Sequence, residues 1–429
     1  MWKIEIRGLL PSLLLLTNSI VWFSLSWFVI EDLLGNTSFN DVLLVSLSYF
    51  GALLISAVIG ATLLNKKLRG KKPLLSWILL GAITCILSAF LVNETNLANL
   101  IAVSLPLGAF AGLGIPTCLA LFSEASTSKN RGRNGAAAFF LIQALTVLIY
   151  MPISSTSLDC RFLFLAAWRL VGILGIVFWA PHKKVFEEQK IRLLGIIRER
   201  TVYLFFVPWF LFTIVNFVEQ PLIEHYFGAD LYNQYMMAGI LITSVSAFLG
   251  GAICDYKGRK VAGILGFILL GIGYAFLTLL QGTQVAQILW TLLVGVAWGV
   301  LYVTFIFVIW GDISEGKPQE KYYFLGGMPF LLSNLISVLV KPFAEDAAIA
   351  TSFPLATFFL FLAILPLLYA PETLPEKVMK DRELKSYIEK AQREVEKSQK
   401  KDPEAEKRKE EPEENPDDSE ARKLAEKYY

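Results

Sequence analysis

The segment Gly251–Lys260 reads GAICDYKGRK and stands between two apolar runs, residues 233–254 and 261–280. Each run is long enough for a membrane helix, which takes about 20 residues to cross a hydrocarbon core of roughly 30 Å. Between the runs, Gly258 permits a tight reversal of the chain. Asp255 can face the positive N-terminal end of a neighbouring helix or an arginine. The segment therefore predicts two membrane helices joined by a short, charged turn.

Apolar runs of similar length recur along the whole chain, and we count twelve. They cover residues 9–30, 42–64, 74–92, 99–123, 135–153, 162–180, 202–223, 233–254, 261–280, 284–310, 322–340 and 349–370. The first run follows Lys3 and Arg7, as a signal peptide would, but it continues to Glu31 without a small-residue cleavage site. We interpret it as a retained anchor. The sequence thus predicts an all-α integral membrane protein with twelve transmembrane helices.

The charged residues are concentrated at one end of the chain. Of the 429 residues, 55% are hydrophobic and 18% charged, against about 45–50% and about 25% in soluble domains. Residues 372–429 carry 18 acidic and 15 basic side chains, which leaves 43 charges for the other 371 residues. This composition excludes a soluble enzyme, and the scattered loop charges do not form the basic face that nucleic-acid binding needs. The four cysteines and two histidines show no metal-ligand spacing, so we expect no metal and no cofactor.

The basic residues of the apolar body indicate its orientation. Loops on one side hold 21 of its 24 basic residues, the other side holds Arg161 and Lys341, and Arg169 lies within a span. Basic loops remain on the cytoplasmic side of a membrane. We therefore expect a protein of the cell membrane with both termini in the cytoplasm.

The chain also repeats itself at an offset of 190 residues. Ser56–Gly60 matches Ser246–Gly250, and Ile78–Gly81 matches Ile268–Gly271. This repeat predicts two six-helix halves in parallel orientation, an arrangement that secondary transporters use. The predicted domains are residues 1–181 and 202–371 as the two halves, 182–201 as a cytoplasmic linker, and 372–429 as a charged cytoplasmic tail that begins as a helix and is disordered from about residue 398. Duplication in a membrane protein that does not transport is the alternative.

The pattern Gly-x-x-x-Asp-x-x-Gly-Arg-Lys in this position resembles the loop signature of the major facilitator superfamily. Arg131–Gly135 is similar to the Arg-Gly element that leads into helix five of that family. In the first-half copy of the loop, Asn65 stands where the family has Asp, so we expect only the second loop to act as a latch between the halves. Pro371-Glu372-Thr373 resembles the ending of the family's sugar porters, whereas residues 181–183 depart from the matching element.

The resemblance implies that helices one, four, seven and ten surround a substrate cavity, with contributions from two, five, eight and eleven. On several of these helices, aromatic, amide and hydroxyl side chains recur along one face, a pattern suited to a neutral or amphiphilic solute. The predicted cavity residues are Asn18, Trp22, Ser26, Gln143, Tyr150, Trp209, Thr213, Asn216, Gln220, Thr291, Trp298, Tyr302 and Asn334. The alternative is that these side chains tie helices to one another.

Charges inside apolar spans are costly and are therefore functional candidates. Glu219 is a candidate for proton coupling or for contact with a cationic substrate, with a solvated position at the mouth of the cavity as the alternative. Arg169 is a second coupling candidate, with a structural role as its alternative. The predicted cytoplasmic gate consists of Glu124, Arg131, Gly251, Asp255, Gly258, Arg259, Lys260 and Asp312.

Together these features predict a secondary transporter, not an enzyme, that moves a small solute by alternating access. The leading interpretation is a drug- or metabolite-type exporter or symporter with a weakly charged cavity. We expect a monomer in the lipid bilayer, with a small molecule and protons as its partners. The alternatives are a neutral-sugar facilitator of the same fold and a membrane sensor or scaffold that does not transport.

Overall fold

The computed structural model describes residues 6–35, 37–92, 96–178, 192–344 and 349–376, together with 378–380, 384, 387, 388, 390–394, 423 and 426. The chain divides into two compact units, Met1–Leu374 and Pro375–Tyr429. In the second unit, most of the described residues form helix between residues 376 and 394. Residues 182–191, which are half of the predicted linker, and nearly all of the stretch predicted as disordered lie outside the described residues.

In the described residues of the first unit, twelve helices are long and apolar enough to cross a membrane, as predicted. They are α1 (Leu9–Leu34), α2 (Phe39–Thr62), α3 (Lys71–Leu91), α4 (Leu97–Ala125), α5 (Arg131–Ile153), α6 (Leu158–Phe178), α7 (Arg200–Phe227), α8 (Ala229–Lys257), α9 (Arg259–Leu279), α10 (Gln284–Ile313), α11 (Gln319–Phe343) and α12 (Ala350–Tyr369). Several begin before the apolar run does, because a helix can extend polar residues beyond the hydrocarbon layer. All regular elements in the described residues are helical, which confirms the predicted fold class.

The helices pack as two sets, which we call the first bundle (α1–α6) and the second bundle (α7–α12). In the first bundle, α2 packs against α4, α3 against α6, and α1 against α4, α5 and α6. In the second bundle, α10 packs against α8 and α9, α9 against α12, and α7 against α11 and α12. The bundles meet through α5 with α8 and α10, and through α11 with α2 and α4.

Large apolar side chains remain exposed on the outer helices. On α3, for example, Leu80, Ile83, Leu87 and Phe90 are all exposed. Successive turns of one helix thus present an apolar stripe, as a helix in contact with lipid does. The buried faces point towards the neighbouring helices, so each bundle has a packed interior.

Three spans contain local irregularities. In α10, the α-helix Gln284–Tyr302 passes into a π-helical turn, Val303–Val308, before a last α-helical turn, Ile309–Ile313. In α11, the helix is interrupted at Leu332. The break in α12 lies at Ala363. Hydropathy predicts the length of a span but does not register its hydrogen-bond pattern, so none of these features was predicted.

Candidate functional site

Asp255, in the last turn of α8, is buried and contacts the first bundle. Its carboxylate accepts hydrogen bonds from the backbone N–H groups of Gly132 at 2.9 Å and Arg133 at 3.1 Å, in the first turn of α5. The side chain of Arg133 donates a further bond from Nε at 3.0 Å. The N–H groups of a first turn lack helical partners and favour an anion. Asp255 therefore ties α8 to α5 across the bundle interface.

Asp312, at the end of α10, binds two arginines at once. One oxygen accepts a hydrogen bond from Arg131 of the first bundle, and the other accepts from Nε of Arg259 at 2.7 Å. Arg259 also donates to the backbone carbonyl of Ser128, across the interface, at 2.6 Å. The side chains of Asp312 and Arg259 are only 1% and 0% exposed. Removing one partner of such a buried pair typically costs about 3–5 kcal/mol, because the remaining charge is left unpaired.

Arg69, in the turn between α2 and α3, makes another ion pair between the bundles. Its guanidinium binds Glu320, at the start of α11, at 2.5 Å and Glu124, at the end of α4, at 2.8 Å. Burial alone lowers the pKa of Arg69, but the two carboxylates outweigh it and raise that pKa, so Arg69 stays charged. Because Glu320 belongs to the second bundle, the expectation that only the second loop joins the halves is wrong.

All these ion pairs lie at the end of the helices that carries the basic loops, which we call the basic face. We name the charged residues involved the basic-face cluster: Arg69, Glu124, Arg131, Arg133, Asp255, Arg259, Asp312 and Glu320. In the described residues, each ion pair that joins the two bundles belongs to this cluster. Lys260 lies outside it, since its Nζ donates to the backbone carbonyl of Leu368 at 2.6 Å.

The segment after α12 closes onto the turn between α8 and α9. Glu372 accepts hydrogen bonds from the backbone N–H groups of Arg259 at 2.9 Å and Lys260 at 3.1 Å, and so occupies the N-terminus of α9. Gly258 precedes these residues with a φ of 109°, a conformation that favours glycine. A Cβ atom at this position would lie 2.3 Å from a Glu372 carboxylate oxygen. Thus the Pro-Glu-Thr segment supports the turn that carries Asp255 and Arg259.

An aromatic layer lies next to the basic-face cluster, deeper in the bundle interface. Phe307 of α10 packs against Phe122 of α4 and Phe139 of α5, with ring centroids 5.8 Å and 6.4 Å away. Phe139 also contacts Tyr302 of α10 at 5.5 Å. These four rings are all buried. Charged and apolar contacts together therefore close the interface at the basic face.

The predicted cavity residues of α1 contact other helices of the first bundle. Asn18 donates to the backbone carbonyl of Trp168 on α6 at 2.6 Å. Ser26 shares a hydrogen bond of 2.8 Å with Tyr49 on α2. The third member, Trp22, is fully buried. In this conformation the stripe therefore fastens α1 to its neighbours.

Arg169 of α6 is fully buried between two indole rings. Its guanidinium carbon lies 4.6 Å from the ring centroid of Trp22 and 4.0 Å from that of Trp77. Its Nη1 atom donates to Asn18 and Ser19 at 3.3 and 3.4 Å, whereas Nε and Nη2 have no hydrogen-bond partner in the described residues. Cation–π contact of this kind is worth about 2 kcal/mol or more when desolvated. Aromatic rings, rather than a carboxylate, thus surround this charge.

The predicted stripes of α7 and α10 meet inside the second bundle. Trp298 donates from Nε1 to Asn216 at 2.9 Å, which leaves the Asn216 amide nitrogen buried without a partner in the described residues. Trp209 donates to the backbone carbonyl of Gly326 on α11 at 2.8 Å. Tyr302 packs edge-on against Trp209, with ring centroids 6.0 Å apart. The structure thus brings these side chains of α7 and α10 into one aromatic and amide cluster.

The remaining predicted cavity residues are dispersed. Thr213 and Thr291 donate to backbone carbonyls of their own helices. Gln220 contacts Ser337 of α11 at 3.3 Å, and Tyr150 donates to Asp32 at 3.0 Å near the opposite face. Gln143 and Asn334 are half-buried. Thr291 lies, with Trp298, beside a cavity of about 20 Å³ between α8 and α10, a volume that suits one water molecule.

Glu219, the predicted coupling residue, is buried within α7, eight residues before that helix ends at Phe227. Its side chain is 6% exposed, and its Oε2 atom has no hydrogen-bond partner in the described residues. One turn further along, Glu224 and His225 line a cavity of about 280 Å³ that also includes Lys341. Glu219 therefore has a buried carboxylate oxygen without a partner in the described residues, one turn from a cavity at the face opposite the basic one.

The sequence did not predict the contacts of three residues at the basic face, Arg69, Glu320 and Glu372. Arg69 lies in the first-half loop, which the sequence does not predict to act as a latch because Asn65 stands where the family has Asp, and no motif includes Glu320. Glu372 was noted only as part of a short motif. The signal for Glu320 was an acidic residue at the start of a span whose neighbouring loops are basic. An acidic residue in this position indicates an ion pair between the bundles only once the fold is known to place α11 beside α4.

The chain is similar to a known protein family and to solved structures of transporters. The family model described as Major Facilitator Superfamily matches residues 9–321. The crystal structure of the human organic anion transporter MFSD10 superposes with a TM-score of 0.62 at 15% identity, covering 85% of this chain and 100% of that one. The proton:xylose symporter XylE, bound to 6-bromo-6-deoxy-D-glucose, gives a TM-score of 0.63 at 14% identity, covering 86% and 97%. At these identities the likeness shows the fold alone.

A curated relative matches a shorter stretch. Accessory gene regulator protein B of Staphylococcus aureus (strain JH9) is 25% identical over 105 residues, which cover 24% of this chain and 49% of that protein. The chain thus spans about half the length of the curated relatives it matches.

Proposed function

We propose that this chain, which belongs to the Major Facilitator Superfamily, moves a neutral or weakly charged amphiphilic solute across the cell membrane by alternating access. The superfamily consists of secondary transporters for small molecules, and for this chain we propose the substrate class, the coupling and the orientation. The observation that carries it is the basic-face cluster, in which Asp312 binds arginines of both bundles. Such bonds close one end of the interface and can break when the bundles rock apart.

The basic face is proposed to be cytoplasmic, with both termini on that side. Loops with an excess of lysine and arginine remain in the cytoplasm, and the cluster lies where those loops are. In this orientation the described conformation is closed towards the cytoplasm. The two halves that rock are residues 1–181 and 202–371, joined by the linker 182–201, and the tail 372–429 is cytoplasmic. The working unit is proposed to be a monomer.

The substrate class is proposed from the cluster between α7 and α10. Trp209, Trp298 and Tyr302 offer aromatic faces, and the amide nitrogen of Asn216 is a buried donor without a described partner. No charged residue belongs to this set. Aromatic rings and a neutral amide suit a drug- or metabolite-type solute with an apolar body and a hydrogen-bond acceptor.

Proton coupling is proposed for Glu219. A carboxylate inside a membrane span, without a cationic partner, is a default candidate for binding a proton or a cation. Glu224, one turn beyond Glu219, lines the cavity at the opposite face, and we propose that protons reach Glu219 from that side. Arg169 lies between indole rings in the first bundle, and we assign it a structural role.

Transport assays in liposomes test the proposal. Purified protein is reconstituted, and uptake of pooled amphiphilic drugs, sugars, amino acids and lipophilic cations is measured with and without a pH gradient. Asp312→Asn protein and protein-free liposomes serve as controls. Uptake of a weakly charged amphiphile supports the proposal, whereas uptake of sugars alone favours a neutral-sugar facilitator. Silence across all pools and gradients contradicts transport and favours a sensor or scaffold.

A further inference from the structure

The π-helical turn Val303–Val308 lies between the two functional parts of α10. Tyr302, at its start, belongs to the cluster shared with α7, and Asp312, beyond its end, belongs to the basic-face cluster. A π turn contains one more residue than the α turn that it replaces. The turn therefore sets the angle at which the last part of α10 presents Asp312.

Two buried side chains donate hydrogen bonds into this turn. Tyr323 of α11 donates from its hydroxyl to the backbone carbonyl of Phe307 at 2.8 Å. Trp310 donates from Nε1 to the backbone carbonyl of Phe305. Gly326 of α11 leaves space for the indole, since a Cβ atom there would lie 2.0 Å from Trp310 Nε1. Two backbone carbonyls of the π turn are thus bound, one by a hydroxyl of α11 and one by an indole of α10 that packs against α11.

The geometry of a helix gives the consequence of losing this turn. One residue of α-helix corresponds to about 100° of rotation and about 1.5 Å of rise. Conversion of the π turn to an α turn would therefore rotate Asp312 by about 100° relative to Tyr302. Arg131 and Arg259 bind different oxygens of the same carboxylate, and a rotation of that size separates the carboxylate from both.

We infer that Tyr323 is a positioning residue of the gate: by holding the π turn of α10, it keeps Asp312 between Arg131 and Arg259. Opening of the basic face then includes the change of this turn from π to α. The inference rests on the proposed alternating-access function. It gives α11, which already contributes Glu320 to the basic-face cluster, a second role at the ion pairs between α5, α9 and α10.

Distances between spin labels test the inference in the full-length protein in lipid nanodiscs. Labels replace the exposed Lys67 and Lys257, at equivalent positions of the two bundles, in a background without the native cysteines. Tyr323→Phe removes one hydrogen bond of ordinary strength, so we expect about a fivefold rise in the ratio of separated to close label pairs. The matched control is Tyr322→Phe, because Tyr322 donates to Glu199, the residue before α7, at 2.6 Å, and not to α10.

A double-mutant comparison separates positioning from a general structural role. In Asp312→Asn protein the carboxylate is already lost, so adding Tyr323→Phe is expected to give no further change in label distance. An equal change in both backgrounds, or unchanged distances in a folded Tyr323→Phe protein, would overturn the inference. Should Tyr323→Phe not fold, Trp310→Phe removes the other donor and carries the same expectation. The label measurement needs no substrate. A lack of transport would therefore count against the proposed function, whereas unchanged label distances would count against the role of Tyr323.

Discussion

Gly132 and Gly251 pack backbone against backbone where α5 meets α8. A Cβ atom on Gly251 would lie 2.4 Å from the carbonyl oxygen of Gly132 and 2.8 Å from Cβ of Ala136. A Cβ atom on Gly132 would lie 2.5 Å from the carbonyl oxygen of Gly251. All three distances are far below van der Waals contact, so the bundles approach this closely only because neither residue has a side chain.

Gly251→Ala is therefore expected to destabilise the conformation that is closed at the basic face. The added methyl group has no space against α5, and the helices must separate. Labels at Lys67 and Lys257 are expected to report a larger distance. Gly239→Ala, on the same helix, is the control, because a Cβ atom there has nothing within 4 Å. Equal label distances in the two variants would contradict the steric argument.

Asp312→Asn is expected to weaken the closed gate far more than Asp32→Asn. The first change leaves two buried arginines without their carboxylate, which typically costs about 3–5 kcal/mol. Asp32 pairs with Arg161 at the opposite face, where its side chain is 34% exposed, and such a pair contributes about 0–1 kcal/mol. The measurement is the rate at which a membrane-impermeant thiol reagent labels a cysteine placed in the basic-face interface. Similar labelling rates for both variants would show that the buried pair does not hold the gate.

Arg69→Gln is expected to open the basic face, whereas Lys67→Gln is not. Arg69 binds Glu124 and Glu320 and joins the bundles, while Lys67, in the same turn, is exposed. The measurement is again thiol accessibility at the interface. If both variants behave like the unmodified protein, the first loop contributes nothing to closure.

Glu219→Gln is expected to abolish the effect of a pH gradient on transport while exchange of substrate between equal concentrations continues. The amide keeps the shape of the side chain but cannot bind and release the proton. Transport in proteoliposomes with and without the gradient gives the measurement, and Glu224→Gln, at the cavity, is the comparison. A Glu219→Gln protein that still responds to the gradient would remove this residue as the coupling site.

Lys317 gives a prediction for stability at high pH. Burial lowers the pKa of this ammonium, but its hydrogen bonds with Glu199 and Tyr322 outweigh burial and raise that pKa above its ordinary value. A raised pKa means that the ammonium stabilises the folded state below the ordinary value of about 10.4. This contribution is lost as pH rises through the higher folded value. The melting temperature of Lys317→Gln is therefore expected to lie below that of the unmodified protein at pH 7, and the gap should narrow above about pH 10. A gap that stays constant to pH 11 would contradict this assignment.

Hydropathy predicted the number of helices and placed their ends to within about four residues, because a run of about 20 apolar residues is what a helix needs to cross a membrane. It did not predict the π turn at Val303–Val308. That turn depends on donors from Trp310 and Tyr323, and the second lies on another helix. Contacts of this kind are tertiary and leave no periodic signal.

The sequence singled out some of the charged residues at the basic face but not their partners. Asp255 and Arg259 stood out through their spacing, and Asp312 through its place at the end of a span. The pairing of Arg69 with Glu320 could not be predicted, since 251 residues separate the two. For Asn18 and Trp22, the spacing showed that they share a face of α1, but it could not show that this face meets Arg169 on α6.

The two ends of the basic-face cluster differ in their contact with solvent, and this makes closure sensitive to salt. Arg69 is 25% exposed, whereas Arg259 is fully buried. Mobile ions screen charges that water reaches and scarcely affect those that it does not. Rising ionic strength should loosen the bonds of α2 and α3 to α11 first and leave those around Asp312 intact. The gate would then open as a hinge from one side, with the electrolyte at the membrane surface setting how readily it begins.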